Sequence, residues 1–156
     1  MDHQYFMGEA IKEAIKGMNA NDGGPFGCVI VKNDQIIGRG HNRVTSTNDP
    51  TAHAEVIAIR EACSQLNNFQ LEDCIIYTSC EPCPMCLGAI YWARPKKVYY
   101  GCNQQDAAAI GFDDAFIYEE IDLPNASRRI AFEQCHRELA LEPFSLWEKK
   151  LDKTDY

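Results

Sequence analysis

The chain has 156 residues, enough for one hydrophobic core and too few for two ordinary domains, so a single domain over 1–156 is expected. Its 46% hydrophobic and 24% charged residues argue against disorder and against a fibrous repeat. A net charge of −8 leaves no general basic face for a polyanion, which disfavours nucleic acid as a partner. The longest apolar run, Ala89 to Ala93, is far below the roughly 20 residues that span a bilayer. No basic-then-apolar segment follows Met1, so a cytoplasmic location is expected, with its eight cysteines reduced, metal-bound or catalytic.

Phe6, Ala10, Ile11, Ala14, Ile15 and Met18 recur at helical spacing and predict a first helix over the opening 20 residues. Gly23-Gly24-Pro25 breaks it. Gly27 to Val31 and Gln35 to Gly40 flank Lys32-Asn33-Asp34 and predict a β-hairpin. Residues 42–50 are too polar for core and predict a functional loop. A helix follows His53, with Val56, Ile59, Cys63 and Leu66 on one face. A short strand lies within 73–79, a helix over Pro84 to Trp92 stopped by Pro95, and a strand over Lys97 to Cys102. The order β-β-α-β-α-β requires parallel pairing of the later strands, because their crossover is a helix. Short helices are expected near 107–110 and 115–118, a strand-like piece at 130–135, and a charged helix over 143–150.

Five of the eight cysteines are scattered, as buried small hydrophobes are; Cys80, Cys83 and Cys86 are clustered. Cys83 and Cys86, at i and i+3 of a helix start, share one face. His53 and Glu55 open another helix. Helix N-termini favour thiolates. One imidazole and two thiolates hold a tetrahedral zinc with one open position, the catalytic arrangement; Cys80 as a fourth ligand would close a structural site instead. Zinc lowers the pKa of bound water to about 7. A carboxylate two residues from a ligand suits a proton shuttle, and it equally suits the charge preference of a helix N-terminus.

His53-Ala54-Glu55 followed by Pro82-Cys83-Pro84-Met85-Cys86 matches the zinc nucleobase deaminase signature. With Gly23 to Gly27, Asn42, Asn48 to Ala52, Thr78 to Glu81 and Gly111-Phe112-Asp113-Asp114, the chain resembles the bacterial guanine deaminases of that family. Several of these segments are shared with tRNA adenosine deaminases; Phe112-Asp113-Asp114 and the C-terminal aromatic discriminate best. The resemblance implies an α/β fold of the cytidine deaminase-like type, three layers α-β-α with a mixed central sheet and helices on both faces. It implies one zinc per chain on His53, Cys83 and Cys86, with Glu55 and Asp114 catalytic. Guanine would be hydrolysed to xanthine and ammonia in purine catabolism. Phe26, Asn42, Ala54, Trp92 and Tyr156 would contact the purine.

Taken alone, those residues have plainer roles: Phe26 and Trp92 as core aromatics, Asn42 as a turn residue, Asp113 or Asp114 as a helix cap, Tyr156 as a frayed end. The resemblance further implies a homodimer in which the tail, about 140–156, is exchanged and Tyr156 caps the partner's pocket. Three rivals stand beside this reading: a tRNA adenosine deaminase, a free cytosine or cytidine deaminase, and an inert zinc-stabilised binding module. Against the first, residues 119–156 carry nine acids and six bases, a poor RNA clamp.

Overall fold

Strand β1 (Gly27–Lys32) turns back through Asn33 and Asp34 into strand β2 (Gln35–His41). Both turn residues have positive φ, 50° and 59°, which suits a two-residue hairpin whose twist matches its strands. The computed structural model describes residues 1–156. They form two compact bodies, Met1–Ala115 and Phe116–Tyr156.

The first body holds a four-stranded sheet in the order β2-β1-β3-β4, where β3 is Ile75–Cys80 and β4 is Lys97–Cys102. β1 pairs antiparallel with both neighbours, Cys28 opposite Thr78, while β3 and β4 run parallel. The sheet is therefore mixed, as expected. Helix α1 (His3–Asn19) packs on one face, and helices α3 (Ala54–Leu66) and α4 (Pro84–Ala93) serve the other. β1 faces apolar neighbours on both sides: Cys28 and Ile30 join the α3–α4 core, Val29 and Val31 the α1 core. That is why it reads as a continuous apolar run.

Two helix faces differ from the periodicity. In α1, Phe6, Ala10 and Ala14 are buried, whereas Ile11, Ile15 and Met18 stay exposed. With Pro25 and Ile110 those three line an apolar groove of about 430 Å³. In α3 the fully buried stripe is Ala54, Ala58 and Ala62; Val56, Ile59, Cys63 and Leu66 are only half-buried. The reason is close approach. α3 lies directly on glycines of β2, and a Cβ at Gly40 would come within 2.3 Å of the Ala54 carbonyl oxygen and 2.8 Å of the Ala58 nitrogen. Large residues on that stripe would hold the helix away. Gly40→Ala is accordingly expected to destabilise by at least ~1–3 kcal/mol, the usual cost of overpacking, because the clash is with backbone. A urea midpoint equal to wild type would refute this.

The polar 42–50 segment contains a one-turn helix, α2 (Val44–Thr47), ended by Asn48 in the left-handed region. It is tied down at Asp22, whose carbonyl accepts from the Ser46 N–H at 3.1 Å and the Thr45 hydroxyl at 3.0 Å. The Asp22 carboxylate lies 2.8 Å from His41 Nε2. Small helices α5 (Gln104–Ala109) and α6 (Ala115–Ile121) match expectation.

No strand forms at 130–135. No other strand is hydrogen-bonded to this segment, and alternation without a partner does not make a sheet. The second body instead carries helices α7 (Arg137–Ala140) and α8 (Glu142–Lys149). None of its residues from Phe116 to Tyr156 is buried. Leu139, Phe144, Leu146, Trp147 and Leu151 are all exposed.

Candidate metal centre

Four short signals assemble the centre. His53 is the N-cap residue of α3, and Glu55 stands in its first turn. Cys83 is the N-cap residue of α4, its sulfur accepting from the Cys86 N–H, with Pro84 in the first turn where a missing N–H costs nothing. Two helix starts thus converge, and their unpaired N–H groups make the spot electropositive.

His53 Nδ1 lies 3.4 Å from Cys83 Sγ and 3.5 Å from Cys86 Sγ, and all three atoms fall within 4.8 Å of one another. A tetrahedral ion with bonds of about 2.0–2.3 Å sets its ligands about 3.5 Å apart, so the donor set and spacing fit zinc. Cys80 is outside this group: it is buried, 3.8 Å from the Asn103 carbonyl oxygen, with burial pushing its thiol up to about 11. Cys83 is held down to about 4, first by a hydrogen bond from Cys86 and then by His53. Cys86 is correspondingly raised, because the pair shares one proton. One thiolate is therefore already favoured beside the imidazole.

Glu55 is buried, and its Oε1 accepts from the Thr78 hydroxyl at 2.5 Å. Its charge also raises the nearby Cys86 thiol. The Ala54 N–H, in the first turn of α3, is among the donors a helix leaves without an internal partner.

Asn42 follows β2 and is buried; its Oδ1 accepts from the Val44 N–H at 3.1 Å, leaving the Nδ2 amide to donate. Phe26, half-buried before β1, meets Phe112 edge-to-face with centroids 4.9 Å apart. Asp113 and Asp114 separate cleanly. Asp113 accepts from the Ala115 N–H at 2.9 Å as a local cap. Asp114 is half-buried, and its carboxyl is raised first by that burial and further by the charge of Cys83. Asp114 is thus the one placed with the cysteines.

Trp92 and Tyr156, expected against the purine, are both exposed side chains. Trp92, in α4, is 63% exposed, with the Arg94 guanidinium 5.8 Å over its ring. Tyr156 ends the second body and is 70% exposed. Thr78 belongs to the family-like segment Thr78 to Glu81, but the sequence assigns it no role. It sits within Tyr77-Thr78-Ser79-Cys80, where nothing in the spacing distinguishes it from a strand residue.

Comparison with known proteins agrees with this geometry. The cytidine and deoxycytidylate deaminase zinc-binding region matches residues 1–102. Guanine deaminase of Bacillus subtilis (strain 168) is 57% identical over 156 residues, covering all of both chains. The X-ray structure of a B. subtilis guanine deaminase superposes with a TM-score of 0.97 over 100% of this chain and 99% of that one, at 57% identity. The tRNA-specific adenosine deaminase of Aquifex aeolicus (strain VF5) is 36% identical over 151 residues, 97% of each chain.

Proposed function

We infer that this chain, which belongs to the cytidine and deoxycytidylate deaminase zinc-binding family, hydrolyses guanine to xanthine and ammonia. The observation that carries the substrate is the 57% identity to a guanine deaminase along the whole length, not in the zinc region alone. His53, Cys83 and Cys86 are the residues that would hold zinc. When bound, the ion supplies a water acidic enough to ionise near neutral pH.

The chain's own groups do the rest. Glu55 takes a proton from the attacking water and delivers it to the ring nitrogen beside C2. The Asn42 amide and the Ala54 N–H hold the purine edge, and the Phe26–Phe112 pair sets the slot for its plane. Asp114 accepts from the exocyclic amine. Its raised carboxyl suits a group that exchanges a proton with the departing nitrogen, and with Glu55 it protonates the leaving amine. Water adds at C2, the C–N bond breaks, and ammonia leaves.

Ammonia release from a panel of guanine, adenine, cytosine, cytidine and a tRNA anticodon stem-loop tests the reading. Guanine is expected to react fastest by a wide margin, because buried polar groups left unpaired by the wrong base penalise it steeply. Asp114→Asn is expected to lower guanine turnover about 10²–10⁴-fold while leaving the melting temperature nearly unchanged. A stem-loop adenosine reacting faster than guanine would make the tRNA reading correct.

The assembly proposed is a homodimer with exchanged tails, each chain being one working domain whose tail completes its partner. Support comes from each body separately. The second buries nothing of its own, so its apolar residues need another surface. The first presents the groove beside Ile11, Ile15 and Met18, as well as exposed Tyr91 and Trp92. In this assembly Trp92 belongs to the surface that receives the second copy. Tyr156 of the partner subunit closes the pocket and excludes water.

Removing residues 153–156 is expected to leave zinc and melting unchanged and to raise KM or lower kcat for guanine. Unaltered kinetics would remove the lid, and a monomer by sedimentation would remove the exchange. No helix is long and apolar enough to cross a membrane. Eight free cysteines suit the cytoplasm as the place of work.

A further inference from the structure

The Thr78 side chain is fully buried in β3, one of the two central strands, directly opposite Cys28 of β1. Strand alternation puts Ile76, Thr78 and Cys80 on one face, and Ile76 belongs to the core under α3 and α4. Thr78 therefore looks up at the first turn of α3. Its Oγ1 has two acceptors within reach: Glu55 Oε1 at 2.5 Å and the Cys80 carbonyl oxygen at 3.1 Å. A hydroxyl has one proton. The shorter contact, to an acceptor that carries charge, has the distance of a charge-assisted O–H···O⁻ bond, so the proton goes to Glu55.

Glu55 has few other ways to be held. It is buried, and the charge-bearing or sulfur groups near it are His53 at the start of its own helix, Cys86 of α4, Cys28 of β1 and Cys80 of β3. The side-chain hydrogen bond that Glu55 receives comes from Thr78, and a cysteine that ligates a metal does so as thiolate, with no proton to give. Once the site is loaded, the Thr78 hydroxyl is the side-chain donor left to Glu55.

We propose that Thr78 is the positioning residue of the deamination site: its hydroxyl pins Oε1 of Glu55 and leaves Oε2 free to face the water and the ring nitrogen. A carboxylate with both oxygens loose would sample rotamers in which neither faces the substrate, and misplacement by about 1 Å can cost ~100-fold. The inference rests on the reading above, in which Glu55 moves the protons.

The test compares Thr78→Val, which keeps the shape and removes the donor, with Thr78→Ser, which keeps the donor and removes a methyl. Thr78→Ala replaces the Val variant if that one does not fold. Zinc content is measured on each, alongside kcat and KM for guanine. The expected result for the donor-less variant is zinc at the wild-type level, KM within about twofold, and kcat lowered about 10- to 100-fold, as loss of one hydrogen bond to a charged group gives. Thr78→Ser should recover kcat to within about threefold of wild type.

A donor-less variant with wild-type kcat overturns the proposal. So does an equal loss in the Ser variant, which would mean packing; a loss confined to KM; or a loss that tracks zinc. A wild-type enzyme inert toward guanine but active on another base of the panel would remove only the substrate assignment, and the variants would then be compared on that base. Inertness toward every base removes both.

Discussion

Glu55→Gln is expected to keep its fold and its zinc while kcat for guanine falls by about 10²–10⁴-fold or more. The amide has nearly the shape of the carboxylate, and its carbonyl oxygen can still accept from the Thr78 hydroxyl, so the buried contact at 2.5 Å survives. What disappears is the capacity to take a proton from water and return it to the ring. The expected pattern separates an enzyme from an inert zinc module, because the module has no use for a carboxylate at this position beyond helix N-terminal charge, worth about 0.3–1 kcal/mol. Steady-state ammonia release, read beside metal analysis and a melting curve, checks it. Near-normal turnover in Glu55→Gln would return the module reading.

Cys83→Ser is expected to abolish both zinc binding and turnover, whereas Cys80→Ser keeps one zinc and most activity. The asymmetry comes from placement. Cys83 sits at the start of α4, where its sulfur accepts from the Cys86 N–H and faces His53 Nδ1, and its thiolate is favoured down to a pKa of about 4. A serine hydroxyl stays protonated under the same conditions and offers a poor ligand. Cys80 is turned toward the Asn103 carbonyl with its thiol raised to about 11 by burial, outside the three-residue group. Zinc loss in the Cys80 variant with retention in the Cys83 variant would overturn this assignment and favour a different ligand set.

The parts of the fold that rest on neighbours in the chain were legible from the residues alone. The hairpin follows from Asn33-Asp34 between two apolar runs. The α4 start follows from Cys83-Pro84, and its end from Pro95, which disfavours helical backbone at the residue before it. The mixed sheet follows from one tight hairpin and one helical crossover. The metal group was legible for the same reason: i and i+3 cysteines share a face in any helix, so only the approach of His53 had to come from folding.

The tertiary structure decided whatever depends on two distant segments meeting. Helical periodicity places Val56, Ile59, Cys63 and Leu66 on an apolar face, yet the alanines are buried because glycines in β2 let α3 come that close, a fact of another element. Ile11, Ile15 and Met18 are as apolar as their buried neighbours in α1 but face a groove, since one helix cannot lay its whole apolar arc on one sheet. The alternation at 130–135 is strand-like in isolation and makes no strand, because a strand exists only through its partner. Asp113 and Asp114 are indistinguishable in the sequence, and a single N–H at Ala115 separates the cap from the acid beside the cysteines. Thr78 meets Glu55 across 23 residues of chain. Nothing within either segment encodes that bond; it arises because β3 runs beneath the start of α3, where a strand's period of two and a helix's first turn bring one hydroxyl to one carboxylate.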